Sequence, residues 1–233
     1  MNKTIIVIPT LNEYENVKTL LHEFLKFDVD VIFVDDNSSD LTYKLIENNN
    51  LFEKKYFLIK RASKQGYASA CMLGVKFAIN RGYEILVQMD ADLSHSVVDL
   101  EKLLEFKKYS DVVIGSRYVE NGKIEGWGFF RTYLSLFANK ACKILLKIDI
   151  NDFTSGFRVY DIEVLKGLNF EEIKAEGYSF LVEVINKISI KNYSIIEVPI
   201  LFNDRKYGSS KLDTKVIFES IFNLLKMSRG IKK

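Results

Sequence analysis

Two aspartates two positions apart, Asp90 and Asp92, are the first candidates for chemistry in this 233-residue sequence. They directly follow a mostly apolar run, residues 85–89, that predicts a buried strand. Two carboxylates held this close repel one another unless a cation lies between them. Mg²⁺ and Mn²⁺ take oxygen ligands and keep positions open for substrate phosphates. The pair therefore predicts a metal site; the alternative is that both aspartates cap the helix that follows.

Polar residues also follow the first two predicted strands. Residues 9–13 read Pro-Thr-Leu-Asn-Glu, and residues 35–40 read Asp-Asp-Asn-Ser-Ser-Asp. Carboxylates at such positions can accept hydrogen bonds from a nucleobase or a ribose. The sequence contains neither the glycine-rich dinucleotide fingerprint after its first strand nor a P-loop, which disfavours nicotinamide, flavin and P-loop enzymes.

Alternating apolar runs and helical patterns in the first half predict a doubly wound α/β sheet. The predicted strands are 5–8, 31–34, 56–59, 85–89 and 112–115, and the predicted helices are 15–26, 41–50, 67–80 and 97–108. Ligands of such sheets bind at the carboxyl ends of the strands. We therefore expect the acidic clusters to meet at one edge of the sheet.

The second half of the sequence shows a different pattern, without a repeat or an interdomain linker. We predict helices at 129–148 and 178–190, a loop at 152–160, a strand at 193–200, a basic loop at 205–210 and a last helix at 213–228 capped by Asp213. Cys71 and Cys142 fall in predicted helices, so we expect two reduced core cysteines and no disulfide.

The net charge of +2 conceals a basic end of the chain. Residues 203–233 hold eight Lys or Arg and three Asp or Glu, which suits an anionic partner or indicates a solvated tail. Neither a signal peptide nor a membrane span is predicted. We expect a cytoplasmic protein, peripheral at the inner face of the cell membrane, without a nucleic acid partner.

Taken together, these polar clusters indicate a protein family more specifically than any single cluster does. They continue with Asp-Ala-Asp-Leu-Ser-His at 90–95, Gly-Ser-Arg-Tyr at 115–118, Asp-Phe-Thr-Ser-Gly-Phe-Arg at 152–158, Glu-Val-Pro-Ile at 197–200, Arg205, and Gly-Ser-Ser-Lys-Leu at 208–212. In this order, over essentially the whole chain, they resemble the family 2 glycosyltransferases and, among them, the polyprenyl (dolichyl) phosphate mannose synthases.

This resemblance implies a single GT-A domain with a Rossmann-like, mostly parallel central sheet flanked by helices. About residues 1–115 would bind the nucleotide sugar, and about 116–233, with a C-terminal amphipathic helix, would bind the acceptor. The implied reaction moves a hexose, mannose from GDP-mannose, to polyprenyl phosphate with inversion and with Mg²⁺ or Mn²⁺ as cofactor. The implied donor-binding residues are Pro9, Glu13, Val34, Asp36, Asp90, Ala91, Asp92, Arg205 and Lys211.

The metal ligands implied by the resemblance are Asp90, Asp92 and Ser94. Ser94 stands where close relatives have Gln, and Leu11 stands where the family often has Tyr. A serine hydroxyl can still reach an ion or its water, whereas stacking on a base is expected to be weaker at Leu11.

The resemblance also implies an acceptor-phosphate site formed by Arg117, Arg131 and Ser135, with Asp92, Arg117 and Arg131 as catalytic residues. Arg131 and Ser135 are four positions apart, so a helix places them on one face. Arginine forks match phosphate oxygens; the alternative for Arg131 is a surface arginine. The apolar residues around Arg131 suit a lipid or a membrane surface, or else a helix buried against the sheet: Trp127, Phe129, Phe130, Tyr133, Leu134 and Phe137.

A phosphate acceptor makes a general base unnecessary, because a monoester with a second pKa of about 6 is largely dianionic at neutral pH. Catalysis then depends on positioning and on stabilising the diphosphate leaving group. We expect His95 to shape the metal loop. A saccharide hydroxyl acceptor, the alternative substrate, would need a carboxylate base, for which Glu183 is the candidate. A non-enzymatic, nucleotide-binding and membrane-associated module is the remaining alternative.

Overall fold

The computed structural model describes residues 3–173, 175, 177–205 and 223–228. The strands are β1 (Thr4–Thr10), β2 (Asp30–Asp35), β3 (Tyr56–Lys60), β4 (Ile85–Gln88), β5 (Val112–Ser116), β6 (Lys123–Glu125), β7 (Arg158–Asp161), β8 (Ile195–Pro199) and β9 (Leu201–Asn203). The helices are α1 (Tyr14–Glu23), α2 (Thr42–Glu47), α3 (Tyr67–Asn80), α4 (Val97–Phe106), α5 (Phe129–Leu146), α6 (Ile162–Lys166) and α7 (Gly177–Ile190).

Within the described residues, seven strands form one sheet in the order β3-β2-β1-β4-β7-β5-β8, and β6 pairs with β9 in a separate ribbon. The sheet is parallel except at β7, which runs antiparallel to both of its neighbours. Side chains alternate between the two faces of a strand, so β1 supplies both cores. Ile5 and Val7 join the cluster that includes α3, α5, α6 and α7, whereas Ile6 and Ile8 join the cluster that includes α1, α2 and α4.

The strands and helices predicted in the first half are confirmed, with differences at their ends. The predicted helix 15–26 ends as an α-helix at Glu23 and continues as a 3₁₀ turn, Phe24–Lys26. The predicted helix 41–50 is shorter at both ends, because Leu41 has a left-handed φ of 67° and residues 48–51 form turns. Cys71 and Cys142 are buried and free, as expected.

The predicted loop at 152–160 is wrong in its last part. Arg158–Asp161 forms β7, which pairs with β4 on one side and with β5 on the other. Its four residues carry charge at both ends, so they do not show the apolar run of a buried strand. A strand from the second half of the chain thus lies between two strands from the first half, and the two halves share one sheet.

The predictions for the end of the chain fall mostly outside the described residues. Of the predicted loop 205–210 only Arg205 is described, and of the predicted helix 213–228 only residues 223–228, which are helical. Lys211 and Asp213 lie outside the described residues. Among the helices that the structure describes, none combines the length and apolar character that crossing a bilayer requires.

Candidate active site

The Asp90-Ala91-Asp92 triplet directly follows β4, at the edge where the parallel strands β1, β2 and β4 end. Ala91 is buried beneath the loop, whereas both aspartates keep part of their surface. The Asp92 carboxylate accepts a hydrogen bond from the Ser94 N–H at 3.1 Å, which closes a tight turn. The fold therefore presents the two carboxylates at the edge that the sequence predicted.

The helix that follows the triplet does not use these aspartates as its cap. Ser96 is the N-cap of α4, and its hydroxyl accepts the Val98 N–H at 3.1 Å. Because a serine already supplies the capping oxygen, the interpretation of Asp90 and Asp92 as caps of this helix is wrong.

Tyr67 and Gly156 enclose the Asp90 carboxylate. The Tyr67 hydroxyl donates to Oδ1 at 2.9 Å, and a Cβ at position 156 would lie 2.8 Å from Oδ2. Burial raises the pKa of the Asp90 carboxyl, a shift that His95 opposes and Asp92 reinforces. Burial also raises the pKa of Tyr67 well above its usual range, so the phenol keeps its proton and remains a donor. An ionised Asp90 in this environment is favoured by a nearby cation.

His95 lies beneath the triplet and is buried. Its Nδ1 accepts the backbone N–H of Asp90 at 3.3 Å, and its ring stacks on Phe157 with 4.8 Å between centroids. Burial lowers the pKa of His95, so the ring is neutral near pH 7. A neutral imidazole whose Nδ1 already accepts a backbone hydrogen bond shapes the loop, in line with the sequence-based expectation.

The residues beside the triplet suit a hard divalent cation. The Ser94 hydroxyl is buried and has no hydrogen-bond partner among the described residues. An orphaned buried hydroxyl is costly, and an ion or its bound water would satisfy it. Together with the carboxylates of Asp90 and Asp92, it offers the oxygen ligands that Mg²⁺ and Mn²⁺ prefer. The described part of the chain contains no group of three or more His, Cys, Asp or Glu arranged for a metal ion, so this mixed set is the candidate.

The predicted donor residue Asp36 holds the loop that leads into α3. Its carboxylate accepts the N–H groups of Gln65 and Gly66 at 2.8 and 2.9 Å and pairs with Arg61 at 2.9 Å. Gly66 has a φ of 92°, a conformation that favours glycine. Asp36 thus fixes the loop that lies beside this edge of the sheet, and its contact with a donor stays a prediction.

The other predicted donor residues of the first two strands differ in exposure. Pro9 and Glu13 are partly exposed at the end of β1, and Glu13 accepts the Asn16 side-chain amide at 2.6 Å. Val34, which pairs with Pro9 in the sheet, is fully buried in the core. In this structure Val34 supports the pocket wall from behind and offers no surface to a nucleoside.

Arg117 is paired with a buried carboxylate. Its guanidinium makes a two-pronged contact with Asp152 at 2.7 Å for each bond, and it also donates to Thr154 at 2.7 Å. Burial by itself would raise the pKa of Asp152, but the Arg117 charge and hydrogen bonds outweigh it and hold that pKa below its usual range. The arginine that was predicted to meet the acceptor phosphate is therefore fixed in place by an anchor that the sequence did not indicate.

Arg131 lies on the first turn of α5, next to the only tryptophan of the chain. Its guanidinium is 3.9 Å from the centre of the Trp127 ring and 3.0 Å from the Asp204 carboxylate. Arg117 lies 5.4 Å from the same ring, so one aromatic side chain touches both predicted phosphate-binding arginines. Ser135 is one turn further along α5, beside the Tyr118 phenol.

Residues 201–205 connect the two groups of predicted site residues. Phe202 contacts both His95, at 5.6 Å between ring centroids, and the Arg117 guanidinium, at 5.2 Å. Two positions later, Asp204 pairs with Arg131, and Arg205 lies 3.6 Å from Asp92. The carboxylates after β4 are therefore linked by a continuous series of contacts to the arginines of the second half.

The profile of Glycosyl transferase family 2 matches residues 5–168, which include the Asp90–Asp92 loop, Arg117 and Arg131. The chain belongs to this family. It is a glycosyltransferase, and the interpretation as a non-enzymatic module is wrong.

Curated relatives of this glycosyltransferase extend the match beyond residue 168. It is 35% identical over 227 residues to the polyprenol monophosphomannose synthase of Mycolicibacterium smegmatis, covering 95% of this chain and 85% of the relative. It is 32% identical to the undecaprenyl-phosphate mannosyltransferase of Micrococcus luteus, with 95% and 92% covered. The dolichol-phosphate mannosyltransferase of Pyrococcus furiosus is 36% identical, and the match covers 97% of this chain and 64% of that protein.

Solved structures confirm the GT-A fold of the glycosyltransferase. Glucosyl-3-phosphoglycerate synthase from Mycobacterium tuberculosis, in complex with phosphoglyceric acid, superposes with a TM-score of 0.72 over 98% of this chain and 80% of that chain. The identity is 16%. The complex of the same enzyme with Mn²⁺, uridine-diphosphate-glucose and phosphoglyceric acid gives a TM-score of 0.71 at 17% identity.

Helix α5 gives the glycosyltransferase an exposed apolar surface beside Arg131. Phe129, Phe130 and Phe137 are 77, 80 and 72% exposed, and Tyr133 packs against Phe129 with 4.5 Å between centroids. Only the far end of the helix is anchored in the core, through residues such as Cys142 and Leu146. The alternative of a helix buried against the sheet therefore applies to one face only.

Glu183, the base candidate for a hydroxyl acceptor, lies on α7 and is half-buried. Its carboxylate accepts the backbone N–H of Ala175 at 3.1 Å, which ties the middle of α7 to the segment before the helix. This contact gives Glu183 a structural role in the glycosyltransferase that does not depend on chemistry.

Proposed function

We propose that this glycosyltransferase moves mannose from GDP-mannose to the phosphate of a polyprenyl phosphate, with inversion and with Mg²⁺ or Mn²⁺ bound at Asp90, Asp92 and Ser94. Three curated relatives that match nearly the whole chain carry polyprenyl, undecaprenyl or dolichyl phosphate mannose transfer in their names. Mn²⁺ accompanies a nucleotide sugar in the M. tuberculosis structure with the same fold. These names support the substrate class.

The observation that carries the proposal is the continuous surface from Asp92 through Arg205 and Asp204 to Arg131. A donor diphosphate and an acceptor phosphate are both anionic, and they must approach closely for transfer. Carboxylates that can hold a cation lie at one end of this surface, and Arg131 lies at the other, with the buried Arg117 near the same tryptophan ring. The surface therefore offers separate positive charge for each phosphate group.

If the acceptor is a phosphate, the reaction does not require a general base from the enzyme. The acceptor oxygen is already anionic at neutral pH and attacks the anomeric carbon as the bond to the diphosphate breaks. Arg117 and Arg131 would hold this phosphate, while Arg205 would close over the donor diphosphate. A bound divalent ion would stabilise the charge that develops on the leaving diphosphate. His95 keeps the Asp90 backbone in place.

The exposed phenylalanines of α5 suit a protein that meets its acceptor at a membrane. The chain of a polyprenyl phosphate is embedded in lipid, so its phosphate is presented at the headgroup level. An aromatic helix face beside Arg131 can enter this interface while the arginine stays near the phosphate. We propose peripheral attachment at the inner, cytoplasmic face of the cell membrane.

The proposal is tested by measuring transfer from GDP-mannose, UDP-glucose and UDP-N-acetylglucosamine, each with polyprenyl phosphate and with a free saccharide. We expect product only with GDP-mannose and the lipid phosphate, and only when Mg²⁺ or Mn²⁺ is present. The Asp92→Ala variant should lose at least about a hundredfold in kcat, because a charged transition state loses its stabilisation. Transfer to the saccharide alone, or full activity of Asp92→Ala, would refute the proposal.

A further inference from the structure

We propose that Tyr67 is a positioning residue that fixes the Asp90 carboxylate in the orientation required by a divalent cation. The inference rests on the metal site of the proposed function and assigns a role to a residue outside the predicted set. Tyr67 is the first residue of α3, and its hydroxyl donates to Asp90 Oδ1 at 2.9 Å. It therefore acts on the metal through Asp90.

The Tyr67 hydroxyl is itself held by a chain of hydrogen bonds. Gln88, the last residue of β4, donates its amide N–H to the Tyr67 oxygen at 3.0 Å. The Gln88 carbonyl accepts the Tyr160 hydroxyl at 3.5 Å, and Tyr160 in turn accepts a guanidinium N–H of Arg158 at 3.4 Å. Arginine can only donate and an ionised carboxylate can only accept, so every hydrogen along the chain points towards Asp90.

This chain of hydrogen bonds begins at Arg158, which is a fully buried cation. Arg158 has no exposed surface, and among the described residues its guanidinium also donates to the carbonyl oxygens of Leu181 and Phe153. Buried polar groups linked in this way restrict one another to a single arrangement. The antiparallel pairing of β4 with β7 places Gln88 opposite Arg158, so the unexpected strand β7 provides the start of the chain.

The second oxygen of Asp90 is restricted by shape. Gly156 lies so close that an added Cβ would be 2.8 Å from Oδ2 and 3.1 Å from the Tyr67 hydroxyl. The Tyr67 ring is also in edge contact with Phe180 of α7, at 6.5 Å between centroids. With one oxygen hydrogen-bonded and the other against a glycine, rotation of the carboxylate is restricted. Partners of this kind orient ligands and tune metal affinity.

The test is the affinity for Mn²⁺ in the Tyr67→Phe variant, measured from the electron paramagnetic resonance signal of free Mn²⁺ with GDP present. We expect the Kd to rise by about 10- to 100-fold, the range found when such supporting partners are removed. Saturating Mn²⁺ should restore most of kcat, because the variant changes the orientation of Asp90 and leaves its charge. Tyr56→Phe is the matched control, since it also removes one buried phenol, whose hydrogen bond goes to the Leu21 carbonyl. Its Kd for Mn²⁺ should equal that of the wild type.

Gln88→Met provides a second variant, which removes the amide that orients Tyr67 while conserving the side-chain volume. It should weaken Mn²⁺ binding in the same direction, and it decides the question if Tyr67→Phe does not fold. Wild-type affinity in every folded variant would overturn the inference while leaving the proposed metal site intact. Absence of Mn²⁺ binding and of Mn²⁺-dependent turnover in the wild type would instead refute the proposed function.

Discussion

The guanidinium of Arg131 lies 3.9 Å from the centre of the Trp127 ring. This contact restrains an arginine that is 22% exposed, and the same ring lies 5.4 Å from the Arg117 guanidinium. A tryptophan face stabilises such a cation by about 1 kcal/mol in a partly exposed site. We expect Trp127→Ala to raise the KM for polyprenyl phosphate about fivefold, the equivalent of that energy, with the KM for GDP-mannose unchanged. Equal increases in both constants would contradict this role.

The raised pKa of Asp90 predicts a trade-off between stability and metal binding. A carboxyl whose pKa is raised by folding contributes stability below the ordinary pKa of aspartate, about 3.9, and loses it as the pH rises through the folded-state pKa. Ionised Asp90 therefore destabilises the metal-free protein at pH 7. We expect Asp90→Asn to have a higher Tm than the wild type when EDTA is present.

Mn²⁺ should reverse the order of the Tm values, so that the wild type becomes more stable than Asp90→Asn. At a Mn²⁺ concentration of a hundred times its Kd, the wild type gains about 2.7 kcal/mol of stability, while Asp90→Asn gains almost none. Asp92→Asn serves as the control that also loses the response to Mn²⁺. A lower Tm of Asp90→Asn in EDTA would show that the Asp90 charge does not strain the fold.

The buried pair of Arg117 and Asp152 predicts a pH-dependent contribution to stability. Their side chains are 5 and 0% exposed, so Asp152→Asn leaves a buried cation without its counter-charge and should cost about 3 kcal/mol at pH 7. The pKa of Asp152 is lowered by folding. Its contribution is therefore complete above about pH 3.9 and is lost as the pH falls through the folded-state pKa.

Urea unfolding at pH 7 and at pH 3 measures this dependence. The difference in free energy of unfolding between the wild type and Asp152→Asn should be smaller at pH 3 than at pH 7. The exposed pair of Lys143 and Asp149 is the control, because Asp149 is 93% exposed and its replacement by Asn should leave the unfolding midpoint unchanged. A difference that stays constant with pH would argue against ionisation of Asp152 as its cause.

Substitution of Glu183 distinguishes a phosphate acceptor from a hydroxyl acceptor. If the acceptor is a phosphate, Glu183→Gln should retain at least about half of the wild-type kcat, since no base is required and the amide oxygen can still accept the Ala175 N–H. A hydroxyl acceptor activated by Glu183 would instead cost the variant about 10²- to 10⁴-fold in kcat. The measurement is kcat with polyprenyl phosphate at saturating donor.

The exposed face of α5 predicts binding to lipid vesicles. Replacing Phe129, Phe130 and Phe137 together by Ser should reduce the partition coefficient onto anionic vesicles at least about tenfold, because each phenylalanine contributes about 1.5–3 kcal/mol when fully buried. Tyr109→Ser is the control, since Tyr109 is 68% exposed and precedes β5, away from the site edge. Unchanged vesicle binding of the triple variant, measured by sedimentation, would refute this docking face.

The first half of the fold was predictable because its strands are buried on both faces and therefore read as continuous apolar runs. β7 was not predictable in this way. It contains Arg158, a fully buried arginine whose guanidinium donates to the nearby Tyr160 hydroxyl and Phe153 carbonyl and to the carbonyl of Leu181, 23 positions further along the chain. The short strands β6 and β9 pair with each other, and β9 also bridges to His95 through Phe202. A strand of three residues is too short to show an alternating pattern in the sequence.

The candidate site was predictable where residues cluster along the sequence, as at Asp90 and Asp92. Its supporting contacts were not, because they join residues far apart in the chain. Tyr67 meets Asp90 across 23 positions, and Arg117 meets Asp152 across 35. Neither pair shows a spacing that could indicate the contact, since each contact joins residues from separate elements that only the folded sheet brings together.

The position of β7 also constrains the order in which the protein can fold during its synthesis. β4 leaves the ribosome long before Arg158–Asp161, so one of its edges stays unpaired while about the next seventy residues are translated. The nascent chain carries an open, apolar strand edge of the kind that recruits other chains. A fragment that stops after residue 115 would keep this edge permanently, and we expect it to aggregate or to require a chaperone.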